Sequence, residues 1–178
     1  MEFVGNPATW KAHSIGDKLD LKGPELNEDD WYDVMIDITT GLNVMHQNGI
    51  LNNDLQENNV LLIQGEDRWH AKLIDFGMSS EMDEPFYLNM TEEAKVEYEY
   101  LNKHGHYAPE CALDDEPSSV SSDVYELGSL MGLVGQEMKI GALLDMAQVI
   151  VTASPGQRPT LQAILQELNF QRYGDDDI

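Results

Sequence analysis

The stretch Asn52-Asn53-Asp54-Leu55-Gln56-Glu57-Asn58-Asn59, followed farther along by Asp75-Phe76-Gly77, decides how this chain is read. It places Asp54, then Asn59, then Asp75 beyond a short hairpin. Such an order suits phosphoryl transfer: one carboxylate to meet an acceptor hydroxyl, and an amide and a second carboxylate to hold magnesium. Upstream of Asn52 no glycine-rich phosphate loop occurs. The chemistry is half furnished.

Working outward, 178 residues suit one domain with a substantial core, and 42% hydrophobic residues mark a globular chain. The net charge of −23 argues against nucleic acid or an anionic membrane as partners. It would attract a basic protein or peptide, and it also serves as a solubilising surface. One cysteine, Cys111, excludes an internal disulfide framework, and it is expected to be packed rather than reactive. No export signal and no apolar run of membrane-spanning length is found, so a cytoplasmic protein is expected.

Residues 1–28 are polar and broken by Gly5, Pro7, Gly16, Gly23 and Pro24, which predicts extended chain with one short helix at most. From Asp29, the residues Trp31, Val34, Met35, Ile38, Leu42 and Met45 recur at helical spacing, and Asn48-Gly49 stops that helix. Val60–Ile63 and Ala71–Ile74 read as two strands joined through Gly65-Glu66-Asp67. The acidic segment from Ser79 to about Asn102 reads as a long loop with a helical turn near Thr91–Tyr100. Ser121-Ser122-Asp123 opens a helix that is apolar on nearly every side. A third helix covers about Gly141–Thr152, and a fourth begins near Thr160.

This order of motifs resembles the large, C-terminal lobe of eukaryotic-type protein kinases. Gly49-Ile50-Leu51-Asn52-Asn53-Asp54 is similar to the start of the family's catalytic loop, and Asp75-Phe76-Gly77 to its magnesium-binding loop. Ala108-Pro109-Glu110 resembles the end of the activation segment. Asp123 to Gly128 resembles the start of the central buried helix, and Gln157-Arg158-Pro159-Thr160 the approach to the last helix. The fold class implied is mainly α with a small β-hairpin, a kinase-like C-lobe lacking the N-lobe. It spans residues 1–170, with a hinge-like start at 1–6 and an acidic tail at 171–178. The resemblance further implies that Asp54 orients a substrate hydroxyl and that Asn59 and Asp75 are magnesium ligands. Leu61 and the backbone of Glu2 and Val4 would meet an adenine. Glu110 would pair with Arg158, and Asp123 would accept backbone amides of the catalytic loop.

The departures are equally specific. Asn52 and Asn53 stand where the family has a histidine and an arginine, so control through an arginine–phosphate contact is not expected. Gln56 replaces the lysine that neutralises the transferring phosphate; an amide donates a hydrogen bond but brings no charge. Lys103 occupies the place of the activation-segment threonine. Few residues separate Met138 from Gly141, where the family inserts a further docking helix. No small-lobe elements precede the match. Phosphoryl transfer depends on positioning and charge, so ATP and magnesium are expected to bind weakly and transfer to be slow. The expected function is a degenerate, pseudokinase-like module that binds a protein partner. The alternative is the large lobe of an active Ser/Thr-type protein kinase whose small lobe is missing from this chain or supplied in trans by another.

Overall fold

The computed structural model describes residues 13–20, 26–101 and 105–174; the expected hinge positions Glu2 and Val4, with Lys103 and the terminal aspartates, lie outside them. Strand β1 (His13–Ser14) and helix α1 (Ile15–Asp20) come first. Helix α2 (Glu28–Gln47) starts on a reciprocal cap, Asp30 N–H to Asn27 Oδ1 and Asn27 N–H to Asp30 Oδ2, both 2.9 Å. The cap satisfies amides that a helix start leaves without partners. The apolar stripe lies inward as its spacing demands: Trp31, Val34, Met35, Ile38 and Leu42 are buried. Gly49, at φ +76°, turns the chain out of the helix in a conformation that costs glycine little.

Strand β2 (Ile50–Leu51) leads into the segment quoted above. Strands β3 (Val60–Gln64) and β4 (Trp69–Leu73) form the expected hairpin, with Leu62 opposite Ala71. The second strand begins earlier than alternation suggested, because Trp69 is buried and anchors the ladder at Gln64. Two pairings were invisible in the sequence. His13 lies opposite Leu62, making β1 a third strand of this sheet. Strand β5 (Ser80–Glu81) pairs with β2, which brings the chain after Asp75-Phe76-Gly77 back beside the catalytic-loop segment.

The acidic segment holds more helix than its composition suggested. Helix α3 covers Glu92–Leu101, tied down by Lys95 on Asp115 at 2.7 Å and by the Tyr98 hydroxyl on the Tyr107 carbonyl at 2.9 Å. Helix α4 (Pro109–Ala112) follows. Helix α5 (Val120–Met138) starts one cap earlier than expected, with Ser119 and Ser122 in a reciprocal box. Its first turns are enclosed on nearly every side, while Leu133 farther along is 36% exposed. Only Lys139, at φ +62°, and Ile140 separate α5 from helix α6 (Gly141–Thr152). Helix α7 (Leu161–Tyr173) is capped by Thr160. It extends past residue 170, and Arg172 and Tyr173 both bond Asp33 on α2, so residues 171–173 belong to the last helix rather than to a tail.

Helix α6 packs on α5, while α7 and the hairpin pack on α2. At Gly128 a Cβ would come within 2.5 Å of Ile150 Cγ2, so the absence of a side chain sets how closely α5 and α6 approach. Arg158 closes the far side. Its guanidinium makes a two-pronged contact with the Glu110 carboxylate, the longer bond at 2.9 Å, and also donates to the Ser121 carbonyl at 3.0 Å. The Arg158 side chain is 3% exposed and that of Glu110 15%.

Replacing Arg158 with leucine strands a largely buried carboxylate and frees the Ser121 carbonyl. We expect a loss of about 3 kcal/mol, read as a lower urea midpoint at unchanged slope. A loss within measurement error would show that this pair is dispensable for the fold.

Candidate functional site

The site is built around a buried carboxylate at the start of α5. Asp123 is fully buried and accepts the Asn52 N–H at 2.8 Å and the Asn53 N–H at 2.9 Å. His46, in the last turn of α2, places Nε2 2.8 Å from Asp123 Oδ2. Next along α5, the buried Glu126 accepts the Leu55 N–H at 2.7 Å. Two adjacent turns of α5 therefore hold three amides of the catalytic-loop segment in place. The shape they hold is an uncommon one, since Asn53 sits at φ +65°, a region that asparagine enters more easily than most residues.

Of the two asparagines found where the family has histidine and arginine, Asn52 binds within the loop and Asn53 binds the segment after Gly77. Asn52 Oδ1 accepts the Asp54 N–H at 3.2 Å. Asn53 Nδ2 donates to the Met78 carbonyl at 2.8 Å and to Ser80 Oγ at 2.9 Å. They supply stitching rather than charge. Glu126, His46, His106 and Tyr107 were not singled out from the sequence. The helical offset from Asp123 to Glu126 was the signal available for one of them; the others come together only through the fold.

Asp54 is engaged on both oxygens. Gln56 Nε2 donates to Oδ1 at 2.7 Å, and Asn59 Nδ2 donates to Oδ2 at 2.7 Å and to the Asp54 carbonyl at 2.9 Å. From the segment before α4, His106 Nε2 lies 3.3 Å from Oδ1, and the Tyr107 hydroxyl approaches the same oxygen at 3.5 Å. Burial and the charge of Asp54 push the Tyr107 phenol up to about 12. Asp75 is exposed, at φ +58°, with Oδ1 accepting the Gly77 N–H at 3.2 Å, and Phe76 is 53% exposed. The Ile74 N–H donates to the Asn59 carbonyl at 2.9 Å, so Asp75 follows directly on a residue bonded to Asn59.

These groups fit magnesium in donor chemistry. Asn59 spends its amide hydrogens on Asp54, which leaves a carbonyl oxygen, and Asp75 keeps a carboxylate oxygen clear of the Gly77 bond. Both are the hard donors that this cation takes, in small number, beside waters and substrate phosphates. Among the described residues no cluster of three His, Cys, Asp or Glu side chains could hold a metal without such help. Leu61, expected under an adenine, is half-buried, opposite Ser14 and Lys72 in the sheet and out of phase with the inward-facing Val60 and Leu62. Beside Gln56 and His106 opens a cleft of about 490 Å³, bounded by Leu130, Leu133 and Gln136 of α5. The short connection from α5 to α6 leaves that side of α5 uncovered. Cys111 is buried, and burial pushes its thiol up to about 11, so it is unreactive at neutral pH.

Two predictions follow from the carboxylates of α5. Asp123→Ala removes the acceptor of two buried amides, and we expect a loss of about 3 kcal/mol with faster hydrogen exchange at Asn52 and Asn53. Unchanged exchange there would refute the anchoring role. Burial, then the neighbouring Asp123 charge, raises the Glu126 carboxyl well above its usual range. The unfolded chain ionises this group first, so its favourable contribution is complete below the unfolded value of 4.5 and declines as pH rises towards the folded value. Glu126→Gln keeps an oxygen for the Leu55 N–H and removes that penalty. The variant should gain stability over the parent from pH 5 upward and match it near pH 4; a loss at neutral pH would contradict this.

A sequence model of the protein kinase domain matches residues 9–140. The chain is 26% identical over 120 residues to a probable serine/threonine-protein kinase of Dictyostelium discoideum, covering 66% of this chain and 8% of that protein. It is 29% identical over 97 residues to the inhibitor of nuclear factor kappa-B kinase subunit beta of Bos taurus, covering 54% of this chain and 12% of that one. An inactive leucine-rich repeat receptor-like serine/threonine-protein kinase of Arabidopsis thaliana is 25% identical over 195 residues, covering 88% of this chain and 28% of the relative. The chain thus spans a small part of the length of these relatives. Its motifs, their order and the helix arrangement that gathers them agree with the domain match: the chain belongs to the protein kinase domain family.

Proposed function

We propose that this domain acts as a protein-binding module of the pseudokinase kind, holding magnesium and nucleotide weakly. The observation that carries this reading is the state of Asp54. A base that orients a substrate hydroxyl needs a free carboxylate lone pair facing the acceptor. Here Gln56 and Asn59 each donate to one of its oxygens and His106 and Tyr107 close on Oδ1, which crowds Oδ1 and leaves only the remaining lone pair of Oδ2 for an acceptor. Gln56 also stands where charge would be needed on the transferring group, and a neutral amide stabilises far less developing negative charge than an ammonium. The frame is kept while the chemistry is muted.

A second reading, the large lobe of an active Ser/Thr-type kinase, is favoured by one observation: among the described residues no hydrogen bond takes the side-chain oxygen of Asn59 or the second carboxylate oxygen of Asp75. These two residues would hold magnesium, which when bound neutralises phosphate oxygens. The hydroxyl would then meet the lone pair of Asp54 Oδ2 that the Asn59 amide leaves unused. The remaining residues of the site would only position and exclude water.

Calorimetric titration with ATP, with and without magnesium, separates the two when repeated on Asp75→Asn and paired with a phosphate-transfer assay. We expect binding no tighter than about millimolar and no transfer above the uncatalysed rate. Micromolar binding that needs magnesium and disappears in Asp75→Asn, or transfer abolished by Asp54→Ala, would overturn the binding-module reading in favour of the active lobe.

A further inference from the structure

The geometry points to a docking groove for a basic amphipathic helix between α6 and α7, an inference that deepens the binding-module reading and rests on it. The groove has a structural cause. Helix α6 packs on α5 and α7 packs on α2, so the two lie side by side without packing closely on each other. Between them is left a hollow of about 310 Å³, floored by Met146, Val149, Ile150 and Ile164 and bordered by Asp145 on one helix and Glu167 on the other.

Three features select the occupant. The floor is aliphatic, and Val149 stands 63% exposed on a helix whose one charged residue is Asp145. An exposed valine in an apolar groove carries a free-energy cost that covering it would relieve. Both borders are acidic, and neither Asp145 nor Glu167 forms an ion pair among the described residues, although Glu167 accepts a bond from the neutral Gln171 at 2.8 Å. The positive charges nearby are already committed, Arg158 to Glu110 and Arg172 to Asp33 and Asp29. A second copy of this chain is the wrong occupant, because two chains of net charge −23 repel one another. What fits is a helix with an apolar stripe flanked by lysine or arginine, laid along the 12 residues of α6.

The test titrates the full chain with a synthetic helical peptide of about 16 residues, leucines on one stripe and lysines on both borders. We expect saturable binding that weakens as salt rises. Val149→Glu should abolish it, and the pair Asp145→Asn with Glu167→Gln should weaken it by about tenfold. Val96→Glu, on α3, should leave it unchanged. Should Val149→Glu lower the melting temperature, Val149→Ser replaces it and should still weaken binding. Binding indifferent to both Val149 variants, or equally tight to a peptide of the same composition with its stripe scrambled, would overturn the proposal. So would self-association of the free chain, by sedimentation, that Val149→Glu abolishes. Peptide binding together with phosphate transfer would sink the binding-module reading and leave the groove standing. No peptide binding and no transfer would sink the groove alone.

Discussion

A single buried carboxylate, Asp123, organises the functional half of this domain. Its oxygens take two backbone amides of the catalytic loop and face the imidazole of His46, so helix α5, helix α2 and the loop meet at one point. A charge with no exposure is costly unless its lone pairs are filled, and here they are filled by groups that would otherwise be buried without partners. The dependence is mutual. Glu126, one turn on, repeats the device for Leu55, and its burial, with the Asp123 charge as the lesser cause, drives Glu126 towards its protonated form.

That arrangement explains how a chain can depart from the family's pattern of charged side chains and keep the shape of the loop. The loop is held by its backbone, and backbone bonds do not depend on which side chains the loop presents. Asn52 and Asn53 replace a histidine and an arginine of the family pattern without releasing the loop, because their amides find partners in Asp54, Met78 and Ser80. Gln56 remains within reach of Asp54 but brings no charge. The shape of the loop and the side chains it presents have separate supports here, so the side chains can vary while the shape stands.

The distribution of charge shows the same economy. All three arginines of the chain are engaged in ion pairs that join distant segments: Arg68 with Asp37, Arg158 with Glu110, Arg172 with Asp33. Cations in short supply hold the frame together, and the excess of acids is left to the surface. An apolar groove with acidic borders, such as that between α6 and α7, sits naturally in such a distribution.

The main helices, the hairpin and the order of the motifs were legible in the sequence, because apolar periodicity and capping residues are local and each reports on its own neighbourhood. Trp31 to Leu42 announced α2, and Thr160 announced the start of α7. Asp123 and the Glu110–Arg158 pair were found through the family pattern. Among its acids helix α3 showed only as a helical turn near Thr91–Tyr100, and the strands at His13–Ser14 and Ser80–Glu81 were too short to show a period. Asp54, Asn59 and Asp75 were named by their order along the chain, but order does not say what a side chain touches. That His106 and Tyr107 close on Asp54, and that α6 and α7 part to leave a groove, depends on which elements pack together. Packing is settled by contacts between residues far apart in the chain, and only the tertiary structure decides those.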